Sequence, residues 1–201
     1  MNLTRRGLLG TAAAAGTGIA AGCLGSEDAP DPPVAGDPDA DVTVAVYEDF
    51  SCPYCRDFKL EVFPQLEEAY LDSGAIRYEH RDFPIPVDDT WSWAVASGAR
   101  EVFESDGDDA FFSFAGEIYE HQNGYGYDTI ESVADDLDLD GPSVREAAED
   151  ETHRDTLEAD RSNGESNGVG GTPTVFVDGD IVDLEAIAFD PVAAAIDDAR
   201  E

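Results

Sequence analysis

Short apolar runs and longer amphipathic segments alternate along the chain, and their periods predict its first elements. Residues 42–47 are β-branched and apolar, which predicts a buried strand. Apolar residues recur at near-helical spacing over 58–71 and predict a helix that stops at Ser73-Gly74. Residues 75–81 alternate enough to predict a second strand. A strand, a crossover helix and a second strand together predict a parallel β-α-β unit.

The middle of the chain, about residues 88–167, has a different pattern and predicts a helical insertion. Apolar residues at helical spacing, with Gly or Asp-Gly breaks between them, predict helices over 89–103, 110–121, 129–137 and 143–163. We expect the aromatic side chains of this insertion to pack in the core, and a peptide-binding surface is the alternative. These aromatic residues are Trp91, Trp93, Phe111, Phe112, Phe114 and Tyr119.

The C-terminal part of the chain predicts a hairpin and a closing helix. A glycine-rich loop over 163–171 leads into an apolar strand that is entered through Thr172-Pro173 and closed by Asp178-Gly179. Residues 181–182 form the short returning arm of the hairpin. Asp190-Pro191 then predicts the cap and the first turn of a last helix.

The motif Cys52-Pro53-Tyr54-Cys55 lies between the first predicted strand and the first predicted helix. Backbone N–H groups at a helix start favour negative charge, so a thiol there ionises more easily than a free cysteine with its pKa of about 8.5. Cys52 is therefore the predicted nucleophile, and Cys55, one turn along, can close a small disulfide ring with it. Pro53 restricts the backbone of that ring and suits a first helical turn.

Two other interpretations of the cysteine pair are weaker. A zinc site usually needs four ligands, and the third cysteine, Cys23, lies far upstream. The histidines, His80, His121 and His153, lie at no metal-ligand spacing, and we expect them to be solvated. A purely structural disulfide would gain little, since stabilisation grows with the length of the closed loop. Redox chemistry is the favoured interpretation.

The charge balance is strongly acidic, with 11 Lys and Arg against 46 Asp and Glu and a formal net charge of −35. Such a charge excludes nucleic acid as a partner, because phosphates would be repelled. It also predicts self-repulsion that salt relieves. The acids are spread through the amphipathic segments, which indicates a solvated acidic surface, and Lys59 is the one lysine. This pattern resembles that of proteins from salt-loving archaea.

Residues 1–22 are predicted to be an export signal rather than part of the fold. Arg5-Arg6 precedes a small-residue apolar stretch over 10–22 that is too short for a comfortable membrane span. Paired arginines at this place resemble a twin-arginine signal. Ala20-Ala21-Gly22-Cys23 resembles a lipoprotein cleavage box, with Cys23 as the lipid attachment site. Residues 23–40, rich in Gly, Pro, Asp and Ala, are then predicted to be a flexible tether.

The cysteine motif after one strand, the helical insertion, and Gly171-Thr172-Pro173 before a late strand together resemble the DsbA-like branch of the thioredoxin superfamily. The resemblance covers about residues 41–200 and implies a thioredoxin fold, a central mixed sheet flanked by helices, for the domain 41–201. It also implies that Pro173 is cis and faces the cysteines. The backbone of Thr172 would then pair with an extended substrate as an added strand does.

By this resemblance, Cys52 forms a mixed disulfide with a cysteine of a protein substrate, and Cys55 resolves it. Pro53 and Tyr54 tune the redox balance. DsbA proteins carry a histidine where Tyr54 stands, and its imidazole helps to stabilise the thiolate. The substitution therefore argues against strong oxidising power.

A second departure concerns the buried acid that the superfamily places six residues before the first cysteine. Val46 occupies that position here. Glu48 and Asp49 are the nearest acids and could replace it through water. The favoured interpretation makes them strand-end surface acids.

These observations predict an exported, membrane-tethered thiol-disulfide oxidoreductase that forms disulfides in secreted proteins. A membrane partner would recycle the cysteine pair, and no cofactor and a monomeric state are expected. A reductase or isomerase of the same fold is one alternative. The other is a copper or zinc carrier that uses the cysteines as ligands, although such copper carriers usually separate their cysteines by three residues.

Overall fold

The computed structural model describes residues 29–85 and 87–201. The predicted export signal over 1–22 and the predicted lipid attachment site Cys23 lie outside the described residues. Among the helices of these two ranges, none has both the length and the apolar character needed to cross a membrane.

Five strands form one mixed sheet in the order β1-β3-β2-β4-β5. The strands are β1 (Val34–Gly36), β2 (Thr43–Glu48), β3 (Arg77–Asp82), β4 (Thr174–Val177) and β5 (Asp180–Ile181). β2 and β3 run parallel, and the other neighbours are antiparallel. This arrangement confirms the predicted β-α-β unit and the predicted hairpin.

One helical segment follows β2 and crosses to β3. It consists of α1 (Pro53–Asp57), a π-helical turn (Phe58–Val62), α2 (Phe63–Leu66) and a second π-helical turn (Glu67–Leu71). The insertion contains α3 (Trp91–Asp106), α4 (Asp108–Glu120), a 3₁₀ turn (Gln122–Gly124), α5 (Tyr127–Asp136), α6 (Gly141–Asp150) and α7 (Arg154–Ser166). The last helix is α8 (Phe189–Ala199).

Two helix predictions need correction. The single helix expected over 143–163 is wrong, because Glu151 adopts a left-handed conformation with φ +48° and separates α6 from α7. Helix α7 then continues to Ser166, into the predicted loop. Asp190 does not cap the last helix, since Ala188 occupies that position.

The tether predicted over residues 23–40 is wrong at its C-terminal end. β1 lies there and pairs antiparallel with β3, with Val34 opposite Glu79. Gly36 permits this edge pairing, because its φ is +83° and a Cβ atom there would lie 2.5 Å from the carbonyl oxygen of Ile76. A strand of three residues is too short to show a period in the sequence.

Two large hydrophobic clusters form most of the core, and Phe112 packs against both of them. One joins the sheet to the helices beside it, and its members include Val44, Leu66, Ile76 and Val175. The other fills the insertion and contains both Cys52 and Cys55. The predicted core placement of the insertion's aromatic residues is confirmed for Trp93, Phe111, Phe114 and Tyr119, whereas Trp91 and Phe112 are half-buried.

Candidate active site

The turn between β2 and α1 places the two cysteines. Asp49 organises this turn, because its backbone C=O accepts from Cys52 N at 2.9 Å and its Oδ1 accepts from Ser51 N at 2.7 Å. Cys52 has the extended conformation of a helix N-cap, with φ −78° and ψ 121°, and Pro53 starts the helix. The predicted position of Cys52 at a helix start is therefore confirmed. Cys52 is 3% exposed and Cys55 is fully buried.

No disulfide joins Cys52 and Cys55, and the pKa values of their thiols are shifted in opposite directions. Hydrogen bonding from the Cys55 thiol lowers the pKa of Cys52 to about 6, against the opposing effect of burial. Hydrogen bonding by Thr172 and by the backbone N–H groups of Cys55 and Tyr54 contributes to this same value of about 6. Burial raises the pKa of Cys55 well above 9, and the negative charges of Cys52 and Glu48 add to the rise.

The late strand brings Thr172-Pro173 against the cysteines. β4 pairs antiparallel with β2, with Thr174 opposite Tyr47, so the residues just before β4 lie beside the end of β2. The Thr172-Pro173 bond is cis, as the resemblance implied. The Cys52 thiol donates to the carbonyl oxygen of Thr172 at 3.4 Å.

The residues between the cysteines face solvent. Pro53 is exposed, and Tyr54 is 62% exposed. The backbone N–H of Tyr54 contributes to the lowered pKa of Cys52. The redox-tuning role that the resemblance implies for these two residues stays a prediction, and it is the backbone of Tyr54 rather than its ring that contributes to the pKa of Cys52.

Glu48 and Asp49 are buried, so their favoured interpretation as surface acids is wrong. They are 2% and 1% exposed because they end the central strand, which lies between β3 and β4. Oδ2 of Asp49 accepts from Ile85 N at 2.7 Å and from Ser92 Oγ at 2.9 Å. Burial nevertheless dominates and raises the pKa of Asp49 to about 6.

His80 is also buried, which corrects the prediction that it is solvated. Its Nδ1 lies 3.0 Å from Glu48 Oε2, and its Nε2 lies 3.3 Å from Asp82 Oδ1. Asp82 in turn accepts from Arg100 at 2.9 Å. Burial lowers the pKa of His80, but the hydrogen bonds and charges of Asp82 and Glu48 outweigh it and raise the pKa to about 9.

This buried polar cluster had a signal in the sequence. Glu48 and Asp82 directly follow the two predicted parallel strands, and in the structure they are the last residues of β2 and β3 and pair in register. Parallel strands end at the same edge of a sheet, so side chains at those ends converge. Of the other histidines, His121 is 47% exposed as expected, whereas His153 is 10% exposed and hydrogen-bonds to Glu101 at 2.8 Å.

Lys59 is buried in the helical segment that carries the cysteines. Its Nζ lies 3.6 Å from the ring centroid of Phe63 and 4.6 Å from that of Phe112, which are cation–π contacts. Burial lowers the pKa of Lys59 to about 8. Lys59 is the one lysine of the sequence, and no pattern around it indicates that it is buried.

The described residues give no geometry for a resident metal. Within 29–85 and 87–201, no group of three or more His, Cys, Asp or Glu side chains is arranged to hold an ion.

Known proteins share this sequence and this architecture. The profile of one protein family, described as thioredoxin, matches residues 28–198. The probable disulfide bond formation protein D of Bacillus cereus is 30% identical over 172 residues, which cover 81% of this chain and 76% of the relative. The crystal structure of oxidised BdbD from Bacillus subtilis superposes with a TM-score of 0.75 at 23% identity, over 84% of this chain and 92% of that one. Chlamydia trachomatis DsbA also gives a TM-score of 0.75, at 18% identity, over 89% and 95% of the two chains.

The fold and the cysteine site thus define a thioredoxin-fold protein with a helical insertion. The chain belongs to the thioredoxin family, and it is a DsbA-like thiol-disulfide oxidoreductase of that family.

Proposed function

We propose that this protein is an exported oxidant that forms disulfides in extracytoplasmic proteins through Cys52 and Cys55. The observation that supports this direction is the pKa of Cys52, which is lowered to about 6. A stabilised thiolate stabilises the reduced form of the pair and so makes its disulfide more oxidising. The buried turn provides this effect through N–H groups and the Cys55 thiol, although Tyr54 stands where DsbA proteins have a histidine.

The reaction starts from the Cys52–Cys55 disulfide. A substrate thiolate attacks the sulfur of Cys52, a mixed disulfide forms, and Cys55 leaves as a thiolate that takes up a proton. A second substrate thiolate then attacks the substrate sulfur of the mixed disulfide. Cys52 leaves as a thiolate, the substrate is oxidised by two electrons, and the cysteine pair is reduced.

Glu48 is the proposed proton partner of Cys55. Its charge raises the pKa of the Cys55 thiol, and its Oε1 is buried with no hydrogen-bond partner among the described residues. Both oxygens of Asp49, by contrast, accept hydrogen bonds, from Ser51 N in the active-site turn, from Ile85 N after β3 and from the Ser92 hydroxyl in α3. Glu48 therefore takes the place of the buried acid that the superfamily has at the position of Val46. It lies two residues further along β2 and exchanges the proton of the Cys55 thiol.

Substrates and partners follow from the same site. The backbone of Thr172, beside Cys52, suits an extended cysteine-containing segment that adds as a strand. DsbA-type proteins are recycled by a membrane partner, and we infer such a partner here. The twin-arginine signal over 1–22, the lipid at Cys23 and a shortened tether would hold a monomer on the outer face of the membrane. The acidic surface suits salt-rich surroundings.

The reduction potential of the pair tests the proposal. Equilibration with glutathione in high salt should give a potential that is less negative than that of thioredoxin, about −270 mV, and is shifted towards that of DsbA, about −120 mV. A value near that of thioredoxin, about −270 mV, would instead identify a reductase. Copper or zinc that survives dialysis in stoichiometric amount would favour the metal carrier.

Membrane attachment has its own test. Cys23→Ser should release the full-length protein from the membrane fraction, because the lipid attachment site is removed. A variant that remains membrane-bound would contradict the lipid anchor and leave the redox proposal untouched.

A further inference from the structure

The helical insertion contacts the active-site turn through two side chains that have no part in the thiol chemistry above. Nε2 of Gln122 donates to the carbonyl oxygens of Phe50 and Cys52, at 2.9 Å each. The hydroxyl of Tyr125 donates to the carbonyl oxygen of Phe50, also at 2.9 Å. Gln122 starts the 3₁₀ turn after α4, and Tyr125 follows that turn.

These contacts fix the peptide groups from which α1 starts. The carbonyl oxygen of Cys52 also accepts the hydrogen bond of Arg56 N, at 3.1 Å. This carbonyl therefore receives one donor from the helix and one from Gln122. Its orientation determines where the first N–H groups of α1 point, and those of Tyr54 and Cys55 contribute to the lowered pKa of Cys52.

The same turn is held from its other side by α3. Asp49, which accepts from the backbone N–H of Ser51, also accepts from the hydroxyl of Ser92 at 2.9 Å. Residues 49–52 thus lie between one hydrogen bond from α3 and three from the segment after α4. A turn held at both sides keeps its N–H groups aimed without reorganisation when charge appears on the sulfur.

We propose that Gln122 and Tyr125 are positioning residues, through which the helical insertion sets the redox balance of the cysteine pair. The inference rests on the proposed function and adds a determinant that lies outside the cysteine motif. By this inference, the helical insertion helps to stabilise the thiolate of Cys52.

The test compares three single variants of the full-length protein. Gln122→Met removes both amide donors and keeps a similar volume, and Tyr125→Phe removes one hydroxyl. Gln65→Met is the matched control, because Gln65 is exposed and donates to the carbonyl of Glu61, within its own helical segment. Two quantities are measured. One is the thiolate absorbance of Cys52 against pH, and the other is the equilibrium constant for reduction of the Cys52–Cys55 disulfide by glutathione.

We expect Gln122→Met to raise the pKa of Cys52 by about one unit and to lower the equilibrium constant about tenfold, which corresponds to about 30 mV towards reducing potentials. Tyr125→Phe should shift the constant in the same direction by about threefold, because one of two donors to Phe50 remains. Gln65→Met should leave both quantities within the error of the parent.

Other results would overturn the inference. If both Gln122→Met and Tyr125→Phe unfold at lower urea but keep the parental thiolate titration and equilibrium constant, the contacts are merely structural. If Gln122→Met does not fold, Tyr125→Phe alone decides by the same criterion. A parent protein that does not exchange with glutathione would instead contradict the proposed function, so the two failures are distinguishable.

Discussion

Cys52 and Cys55 carry the same side chain three residues apart, yet their surroundings give them opposite tasks. Cys52 accepts hydrogen bonds from backbone N–H groups and from the other thiol, which favours its thiolate. Cys55 lies in an apolar interior near the charge of Glu48, which favours its protonated form. Cys52 is therefore the better leaving group in a mixed disulfide, and Cys55 is the residue that must exchange a proton.

Serine substitutions separate these two tasks. Cys52→Ser should abolish exchange with a dithiol peptide, because no sulfur remains to form the mixed disulfide. Cys55→Ser leaves a Cys52 thiolate that should attack a disulfide-containing peptide and accumulate the mixed disulfide as an adduct in mass spectrometry, since the resolving thiol is absent. Cys23→Ser is the control and should retain parental exchange. An active Cys52→Ser variant would refute the mechanism.

His80 gives stability a defined pH dependence. Its folded pKa of about 9 lies above the 6.5 of an unperturbed histidine, so its contribution is complete below pH 6.5 and is lost as the pH rises through 9. The shift corresponds to roughly 3 kcal/mol. Lys59, whose pKa is lowered to about 8, adds stability as the pH rises over part of this range, so the loss should be measured in an oxidised Lys59→Met variant, in which urea unfolding should show a loss of this order between pH 6 and pH 10. Adding His121→Gln should leave this loss unchanged, because the side chain of His121 is exposed. An NMR titration midpoint of His80 near 6.5 would contradict the prediction.

At the scale of elements, packing between α7 and the sheet leaves no room for a side chain at Gly164. A Cβ atom there would lie 2.8 Å from both Tyr47 Cε1 and Phe83 Cδ2, and all three residues are buried. Helix α7 can approach β2 and the end of β3 this closely because the residue is glycine. The approach also lets Asp160 accept from the backbone N–H of Asp82 at 2.7 Å.

Two glycine-to-alanine variants should consequently change stability in opposite directions. Gly164→Ala should destabilise the protein by about 1–3 kcal/mol, because two aromatic rings must shift. Gly116→Ala lies within α4, with no atom within 4 Å of the added Cβ, and should stabilise by about 0.5–1 kcal/mol. Urea midpoints measure both. Equal effects of the two substitutions would show that helix propensity rather than packing decides.

Sequence patterns predict those elements whose apolar period is long, and they fail where tertiary contacts decide. The central strands and most insertion helices have such periods, and the cysteine turn is located by the strand and the helix on either side of it. β1 has three residues and forms because β3 offers an edge and Gly36 fits against Ile76. The burial of Glu48 and Asp49 follows from the insertion and the neighbouring strands, which a local pattern of charges does not show.

For the molecule as a whole, the formal charge of −35 makes salt a stabilising agent. The Debye length falls from about 10 Å at 0.1 M to about 3 Å at 1 M, so repulsion between surface carboxylates is screened mostly within that range. The buried contacts of His80 and Arg100 are much less affected. We expect the urea midpoint to rise steeply up to 1 M KCl and slowly beyond it.

A neutral osmolyte separates screening from a general effect of solutes. Sorbitol at equal osmolality stabilises by exclusion from the protein surface and leaves charges unscreened. It should therefore reproduce little of the early rise in KCl. A sorbitol curve that matches the KCl curve would show that charge repulsion does not limit the stability of this protein.

The short outer strands of the sheet have a consequence for solubility. Once salt has screened the acidic surface, mutual repulsion no longer keeps copies apart, and exposed strand edges become the usual route to fibrils. Here the two edges are β1, with three residues, and β5, with two. Neither offers a template long enough for another chain to extend, so the sheet itself protects against aggregation under the conditions in which charge ceases to do so.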